Sequence, residues 1–518
     1  HHQQGIDELL QAELWRLGAA RQVICAAAVL GERFSLPQLT ALLPEAEVRS
    51  ALNAAQRERL VVTQADGTFR FAHALIRDAA HASLPTEQTR ALHLAAAQLL
   101  ARQEDSAQAV AQHYTQARHW IEAASWWRKA AERAMAAEFV ADAQHGFAQA
   151  LACLQQHGAD ENQLLMARMR LGRAAQQAQG FGSALAYEHF STALRSLESW
   201  PAEHPERREK LFTALSGRYM GGSSQGAVEG LDIAWRLAAL AAPPEEKLMT
   251  SFALGNSLFW RSQLRAARDW QERGVALAQQ IAPQARARFC VDDPAITCRA
   301  FLGWTLWFLG DTPGACRVSA EGVALARAGG RVHALCFALT FASGVHWCLG
   351  DESMVRRLSA EARTLAQQHG FPLWESVNAL FLLWAAARQQ QLPDTAPLFN
   401  AAAAMRSAYG AGITTSRWIT LHALLAHGDA WSQMEALVDT TIAEADINED
   451  QYCLADLLWL KARCLRHRDE PAEARRYRRR ARELARKQQA LGLLARFRGT
   501  SSDLPPLRPA HALDPAST

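Results

Sequence analysis

The chain has 518 residues, too many for one ordinary hydrophobic core, so several domains or a repeat array are expected. Hydrophobic residues make up 49% and charged residues 21%, and a net charge of +3 is too small to demand a nucleic-acid or membrane partner. Nine cysteines, odd in number and without a Cys-x-x-Cys pair, argue against zinc and a disulfide framework and for a reducing, cytoplasmic setting.

The opening His-His-Gln-Gln reads as a tag remnant, and no signal peptide is legible. Residues 6–85 differ from the rest. "IDELLQAELWRLG" and "ARQVICAAAVLG" predict helices, the second ending at Gly31. "SLPQLTALL", opened by Ser35, and "EAEVRSALNAAQRERL", which follows Pro44 with acidic residues, predict two more. "VVTQADGTFRFAH" predicts a β-hairpin turning on Asp66-Gly67. Helices followed by a two-stranded wing describe a winged-helix domain, with 86–105 as a connecting helix.

From 106 to 498 the pattern is almost all helical. Leu254-Gly255 through Ala278 can be laid over Leu302-Gly303 through Ala326, 48 residues on, and Leu309-Gly310-Asp311 recurs as Leu349-Gly350-Asp351 after 40. Each unit reads helix, tight turn, helix, and one such pair cannot bury its apolar face alone. The Leu-Gly pair, with Ala267 or Ala315 twelve residues after its glycine, is similar to the packing core of a tetratricopeptide repeat. The expected fold is therefore all-α: a right-handed tetratricopeptide-like α-solenoid of about eight or nine helix pairs, behind a small winged helix. The Pro/Ser-rich tail, 499–518, is expected to be disordered. The longest apolar run, Ala379–Ala387, is too short to span a membrane.

"AAAVLGERFSLPQLTALL" with "FRFAHALIRDAAHASL" resembles the winged-helix segment that follows the nucleotide-binding domain in STAND-type signal-transduction ATPases, bacterial regulators of the MalT-like and cyclase-associated kind. "VDDPAITCRAFLGWTLWFLGD", "HGFPLW" and "QYCLADLLWLKARCL" resemble the repeat region of the same proteins, so the likeness runs from about residue 6 to 498. The family's P-loop is missing: none of Lys129, Lys210, Lys247, Lys461 and Lys487 is followed by Ser or Thr. The resemblance thus implies a nucleotide-binding domain in cis or in trans outside this chain, ATP or ADP in the intact protein, and no cofactor here. It also assigns His73 a role. Relatives carry Met-His-Asp at this strand–helix joint, and its histidine approaches the phosphate of bound ADP. Here Ala72 and Ala74 replace the flanking Met and Asp.

Six Tyr against 16 Trp is an unusual balance. Trp260, Trp304, Trp307, Trp347, Trp374 and Trp384 fall mostly on first helices of repeats, which line the concave side of such arrays. Most are expected in the core and a minority in a groove for an effector or a protein, where Arg261 and Arg299 favour anions. The helix 45–58 balances its charges, so direct DNA contact is not expected. Segment 461–498 carries fourteen Lys and Arg against four acidic residues and reads as a solvated terminal helix. Gly222-Ser223-Ser224-Gln225-Gly226 imitates a hydrolase elbow but follows a helix pattern rather than a strand. His73 and His81 are about 12 Å apart along a helix, too far to share a metal. No enzyme is expected. The expected function is the sensor module of a STAND-type, transcription-regulating protein, and the alternative is a standalone adaptor binding a protein or peptide in its concave groove.

Overall fold

Helix dominates the residues that the computed structural model describes, 10–102, 106–222, 227–409 and 414–499. The first nine residues, Ser223–Gly226 with the elbow-like Ser224, and the tail from Thr500 lie outside them. Two compact units divide between Ala167 and Arg168.

In the first unit, α1 (Ala20–Leu30) is buried from Val23 to Val29 and stops at Gly31, whose φ is 124°. After β1 (Arg33–Phe34), α2 (Leu36–Leu42) opens with a reciprocal cap. Gln38 N–H donates to Ser35 Oγ at 3.3 Å, and Ser35 N–H donates to Gln38 Oε1 at 2.8 Å. α3 (Glu45–Arg57) places Glu45 and Glu47 at its positive end. β2 (Val61–Thr63) and β3 (Phe69–Phe71) pair antiparallel, Val62 opposite Arg70, and β1 adds to the other side of β3. Gly67 takes φ 80°, and Asp66 Oδ1 holds the turn by accepting from the Thr68 N–H and hydroxyl at 3.0 and 2.6 Å. β1 lies between two expected helices, in a stretch where two residues are too few to show alternation. Its Phe34 packs 5.5 Å from Phe71 in the core that α1 and α3 complete.

α4 (Ala74–Ala82) leaves β3 through Ala72 and His73, and α5 (Thr86–Arg102), α6 (Ala107–Gln116), α7 (Trp120–Ala136) and α8 (Val140–His157) follow. One polar chain joins α4, α5 and α6. His93 Nε2 lies 3.2 Å from His81 Nε2, and His93 Nδ1 lies 2.8 Å from His113 Nδ1. Neutral His93 has one donor and one acceptor, so it satisfies both neighbours only while uncharged. Burial first, then the neighbouring His113 and His81, push its pKa down to about 4.

The second unit starts within α9 (Glu161–Gln179) and continues with α10 (Ala184–Ser199), α11 (Arg207–Gly222) and α12 (Ala227–Leu240). Paired helices then succeed one another. They are α13 (Pro244–Trp260) with α14 (Leu264–Ala278), then, after α15 (Pro283–Arg286), α16 (Pro294–Leu309) with α17 (Thr312–Gly329), and α18 (Val332–Leu349) with α19 (Glu352–His369). α20 (Pro372–Arg388) pairs with α21 (Ala396–Tyr409), α22 (Thr415–His427) with α23 (Trp431–Ile447), and α24 (Leu454–His467) with α25 (Pro471–Lys487), before the final α26 (Leu491–Gly499). This is a tetratricopeptide-like α-solenoid.

The repeated Leu-Gly-Asp is its turn. Gly310 and Gly350 end one helix at φ 92° and 75°, and Asp311 and Asp351 cap the next by accepting from Gly314 and Met354 N–H. At Gly303, an added Cβ would come 2.3 Å from Ser319 Oγ and 3.4 Å from the Ala315 carbonyl, so a larger residue would force the Ser319 hydroxyl to turn away from this close helix contact. α15 and the 3-10 turn Ala287–Phe289 house the residues that lengthen the first offset.

The first helices of these pairs are apolar on nearly every side. All of α16 except Arg299 and Leu309 is buried. α18 has the length and composition of a membrane span, mean hydropathy 1.5, but 72% of it is buried inside the fold. The open side of these helices is covered by the chain's own C-terminal third. Trp418 of α22 and Tyr452, both 0% exposed, pack on Trp347 and Trp260 at 4.6 and 4.9 Å. Gln451 and Tyr452 N–H donate to the Trp260 carbonyl at 2.8 and 3.1 Å. Arg496 of α26 reaches inward, donating to Asp456 Oδ2 at 3.1 Å and the Cys348 carbonyl at 2.7 Å. Its guanidinium lies 4.9 Å from the Trp307 ring and 5.6 Å from Trp347. Burial opposes ionisation of Asp456, but His422, Arg496 and Trp418 converge on Oδ2 and hold its carboxyl well below its usual range.

Two outcomes follow. Arg496→Ala leaves a buried carboxylate without its permanent cation and is expected to lower unfolding stability in urea by about 3–5 kcal/mol, while Arg496→Met combined with Asp456→Asn recovers part of that loss. For His93, the unfolded imidazole binds protons that the folded one refuses. Its stabilising contribution is complete above about pH 6.5 and is lost as pH falls toward 4. Thermal melts across this window should show a decline that His93→Leu flattens.

Candidate functional site

Four inner helices turn the same kind of face toward one chamber. On α13, Phe252, Asn256 and Trp260 recur every four residues; α16 adds Phe301 and Trp304, α18 Phe337 and Thr340, and α20 Trp374 and Val377. Its cavity volume is about 60 Å³, room for a few water-sized groups and below the roughly 300 Å³ at which small-molecule pockets begin. Phe181, from the α9–α10 turn, and Met405 and Tyr409 of α21 form the facing wall. That wall is tied shut by backbone: Gly182 N–H donates to the Ala408 carbonyl at 2.9 Å. Gly180 sits at φ 93° where a Cβ would come 2.2 Å from the same oxygen. Phe181 meets Trp374 and Tyr409 edge-on at 6.1 and 6.3 Å. Phe341 and Tyr409 are the partly exposed wall residues and mark the mouth.

Among the described residues, no charged side chain lines the chamber. Its polar atoms are mostly committed. Trp304 Nε1–H donates to the Phe341 carbonyl at 2.9 Å, Trp374 Nε1–H to His333 Nε2 at 3.0 Å, and the Thr415 hydroxyl pairs with Tyr452 at 2.7 Å. Two are not: Asn256 Oδ1 and Trp260 Nε1 have no hydrogen-bond partner, although their residues are 5% and 4% exposed. Asn256 interacts with the Tyr219 hydroxyl, whose proton goes to the Ala253 carbonyl, so the amide group is what Asn256 offers Tyr219.

The expected groove residues separate. Trp260, Trp304 and Trp374 line the chamber, while Trp307, Trp347 and Trp384 lie outside it in the packed interior. All six are between 2% and 5% exposed. Arg261 is paired with Glu449. Arg299 donates to the Ala295 carbonyl at 2.8 Å and lines a separate shallow cleft, where Arg268 and Arg317 are balanced by Glu272, Asp311 and Glu321. Neither arginine reaches the chamber, and the charges around Arg299 cancel. Asn256, Phe181 and Tyr409 were not singled out from the sequence. Asn256 carried a signal, lying four residues from Trp260 on one face, but the facing wall carried none.

His73 is the exposed N-cap of α4. Its Nδ1 accepts the Leu75 N–H at 3.3 Å, so the neutral ring keeps its proton on Nε2, on the side away from the cap. The cationic C-terminal segment is less uniform than its composition. Lys461 is tied to Glu435 and Asp439, and Arg496 is interior. α25 buries Ala474, Ala481 and Ala485 and exposes Arg475, Arg476, Arg479 and Arg480.

No protein-family model matches the chain. An uncharacterized protein of Rhizobium meliloti (strain 1021) is 23% identical over 524 residues, covering 97% of this chain and 50% of that protein. The chain therefore spans about half the length of the curated relative it matches. Among solved structures, a Rap protein complexed with competence and sporulation factor has a TM-score of 0.47 at 10% identity, covering 71% of this chain and 98% of that one. A STAND protein with a tetratricopeptide repeat sensor from Pyrococcus horikoshii has a TM-score of 0.37 at 10% identity, covering 93% and 65%. Both scores are below 0.5, so the helix-pair architecture rests on the chain's own geometry.

Proposed function

We propose that this chain is the regulatory arm of a STAND-type signal-transduction regulator, cytoplasmic and acting on transcription. In this reading the sheet-bearing module is a winged helix, supported by its order of helix, strand, two helices and two strands. It relays effector or protein binding on the solenoid to a nucleotide-binding domain outside this chain, which holds ATP or ADP. In this reading the chain itself is expected to carry no catalysis, metal or DNA contact. The nine cysteines, eight of them buried and none joined in a disulfide among the described residues, suit a reducing compartment.

The observation that carries the reading is His73. An exposed imidazole caps a helix N-terminus with Nδ1 and keeps an Nε2–H free to meet an anion beside the positive end of the helix. That is the chemistry a nucleotide phosphate requires of a latch. The adaptor reading is weaker, because an extended peptide needs exposed groove aromatics and the six candidate tryptophans are at most 5% exposed.

In the longer natural protein that carries the nucleotide-binding domain, His73→Ala should weaken ADP retention about tenfold or more, the loss of one hydrogen bond to a charged group. His73→Asp keeps a capping acceptor but repels phosphate, and should do the same without lowering stability. Unchanged ADP affinity in both variants would sink the latch.

A further inference from the structure

We propose that the helix pair α24–α25 carries a binding site for a compact phosphorylated anion with two or more negative charges, held where Arg463, Arg466, Arg478 and Arg482 meet. The site goes beyond the function proposed above and does not depend on it, since occupancy is a property of this chain.

Helix spacing places the cluster. On α24, Trp459, Arg463 and Arg466 stand at i, i+4 and i+7, and on α25, which packs against it, Arg478 and Arg482 stand at i and i+4. The Trp459 ring is a shared floor. The central guanidinium carbons of Arg478 and Arg482 each lie 5.3 Å from its centroid, and Phe497 of α26 stacks on it at 4.5 Å. Arg478 and Arg482 are therefore positioned before a ligand arrives.

None of the four has a carboxylate. Among the described residues their side chains make no hydrogen bond or ion pair. Their neighbours Arg476 and Arg479 do, with Glu473 and Glu483 at 3.6 and 3.7 Å. Asp456, the carboxylate that attracts Arg463, is already bonded to Trp418, His422 and Arg496. Burial first, then Arg478 and Arg466, push the Arg463 pKa down; burial first, then Arg466 and Arg482, do the same to Arg478. Like charges at close quarters destabilise the empty site, and a dense anion relieves them. The cluster is also reachable. Arg466 and Arg482 are exposed, and Arg463 and Arg478 are half-buried. Of the Arg463 and Arg478 nitrogens, only Arg478 Nε is both sealed and unpaired, which leaves the terminal N–H groups to meet a ligand. Charge density selects the ligand. A carboxylate carries one charge and is matched by one guanidinium fork. A phosphate or diphosphate gathers two or more charges and several acceptor oxygens in the space of the cluster.

The test is calorimetric titration of this chain, at about 0.15 M salt to screen loose surface binding, with inorganic pyrophosphate, succinate and a single-stranded oligonucleotide. Pyrophosphate should bind at one saturable site and raise the melting temperature. Succinate, a dianion without phosphoryl oxygens, should bind at least about tenfold more weakly. Arg463→Gln and Arg478→Gln should each weaken pyrophosphate at least about tenfold, the loss of a hydrogen bond to a charged group. Arg476→Gln, at an arginine already paired with Glu473, should leave the affinity unchanged. If the half-buried variants do not fold, Arg466→Gln and Arg482→Gln, at exposed positions, decide. Absence of saturable pyrophosphate binding, equal affinity for succinate, affinity unaltered by the cluster variants, or an equal loss in Arg476→Gln each overturns the inference. So does binding of the oligonucleotide without pyrophosphate, which would make α25 an extended cationic surface instead of a compact site. Each reads this chain alone, so a negative leaves the His73 test on the longer protein untouched.

Discussion

The second unit depends on one constraint. Its first helices are apolar on almost every side, and a helix of that kind must be covered on all of them. In a repeat array, neighbours cover two sides and the partner helix a third. The fourth side of α16 and α18 remains, carrying tryptophan and phenylalanine. Here the chain covers it with its own later residues: Trp418, Tyr452 and the α26 helix. Asp456 and Arg496 make that closure specific. A buried ion pair adds little net stability compared with apolar packing, but breaking it is costly, so the pair fixes which helix docks where.

The closure changes what recognition can mean. An open superhelical groove offers length and suits an extended peptide. A closed interior offers a cavity, and selects by shape, polarity and charge. The tryptophans that looked like groove residues become walls or packing, and the arginines nearby are neutralised in place: Arg261 by Glu449, Arg496 by Asp456. In the proposed switch, an effector or protein bound on the solenoid would bias it between states only through a difference in affinity for them. The lining helices belong to several repeats at once, which is where such a difference would be registered.

Much of the local structure was legible because it is decided locally. Ser35 with Gln38, Asp66-Gly67, and the two Leu-Gly-Asp turns are caps and turns, and their residues have few alternatives. What escaped was decided at a distance. β1 is two residues long and exists because β3 lies beside it. His81, His93 and His113 are unremarkable in sequence and meet only when α4, α5 and α6 pack. For the chamber, the four-residue spacing of Phe252, Asn256 and Trp260 was visible. Whether that face opened to solvent or met the chain again depended on Phe181, Tyr409 and Tyr452, which no periodicity connects to it. The basic count of 461–498 could not single out Lys461 and Arg496 for the same reason, since both are consumed by partners far from their own helix surfaces.

Amide hydrogen exchange tests the central claim, that the C-terminal helices complete the core of the second unit. If they do, α16, α18, α22 and α24 open together, and their slowest amides share one exchange free energy. Exchange across 454–499 that is faster by orders of magnitude than across α16 and α18 would contradict it, because the inner helices would then be covered by something other than this chain's own end.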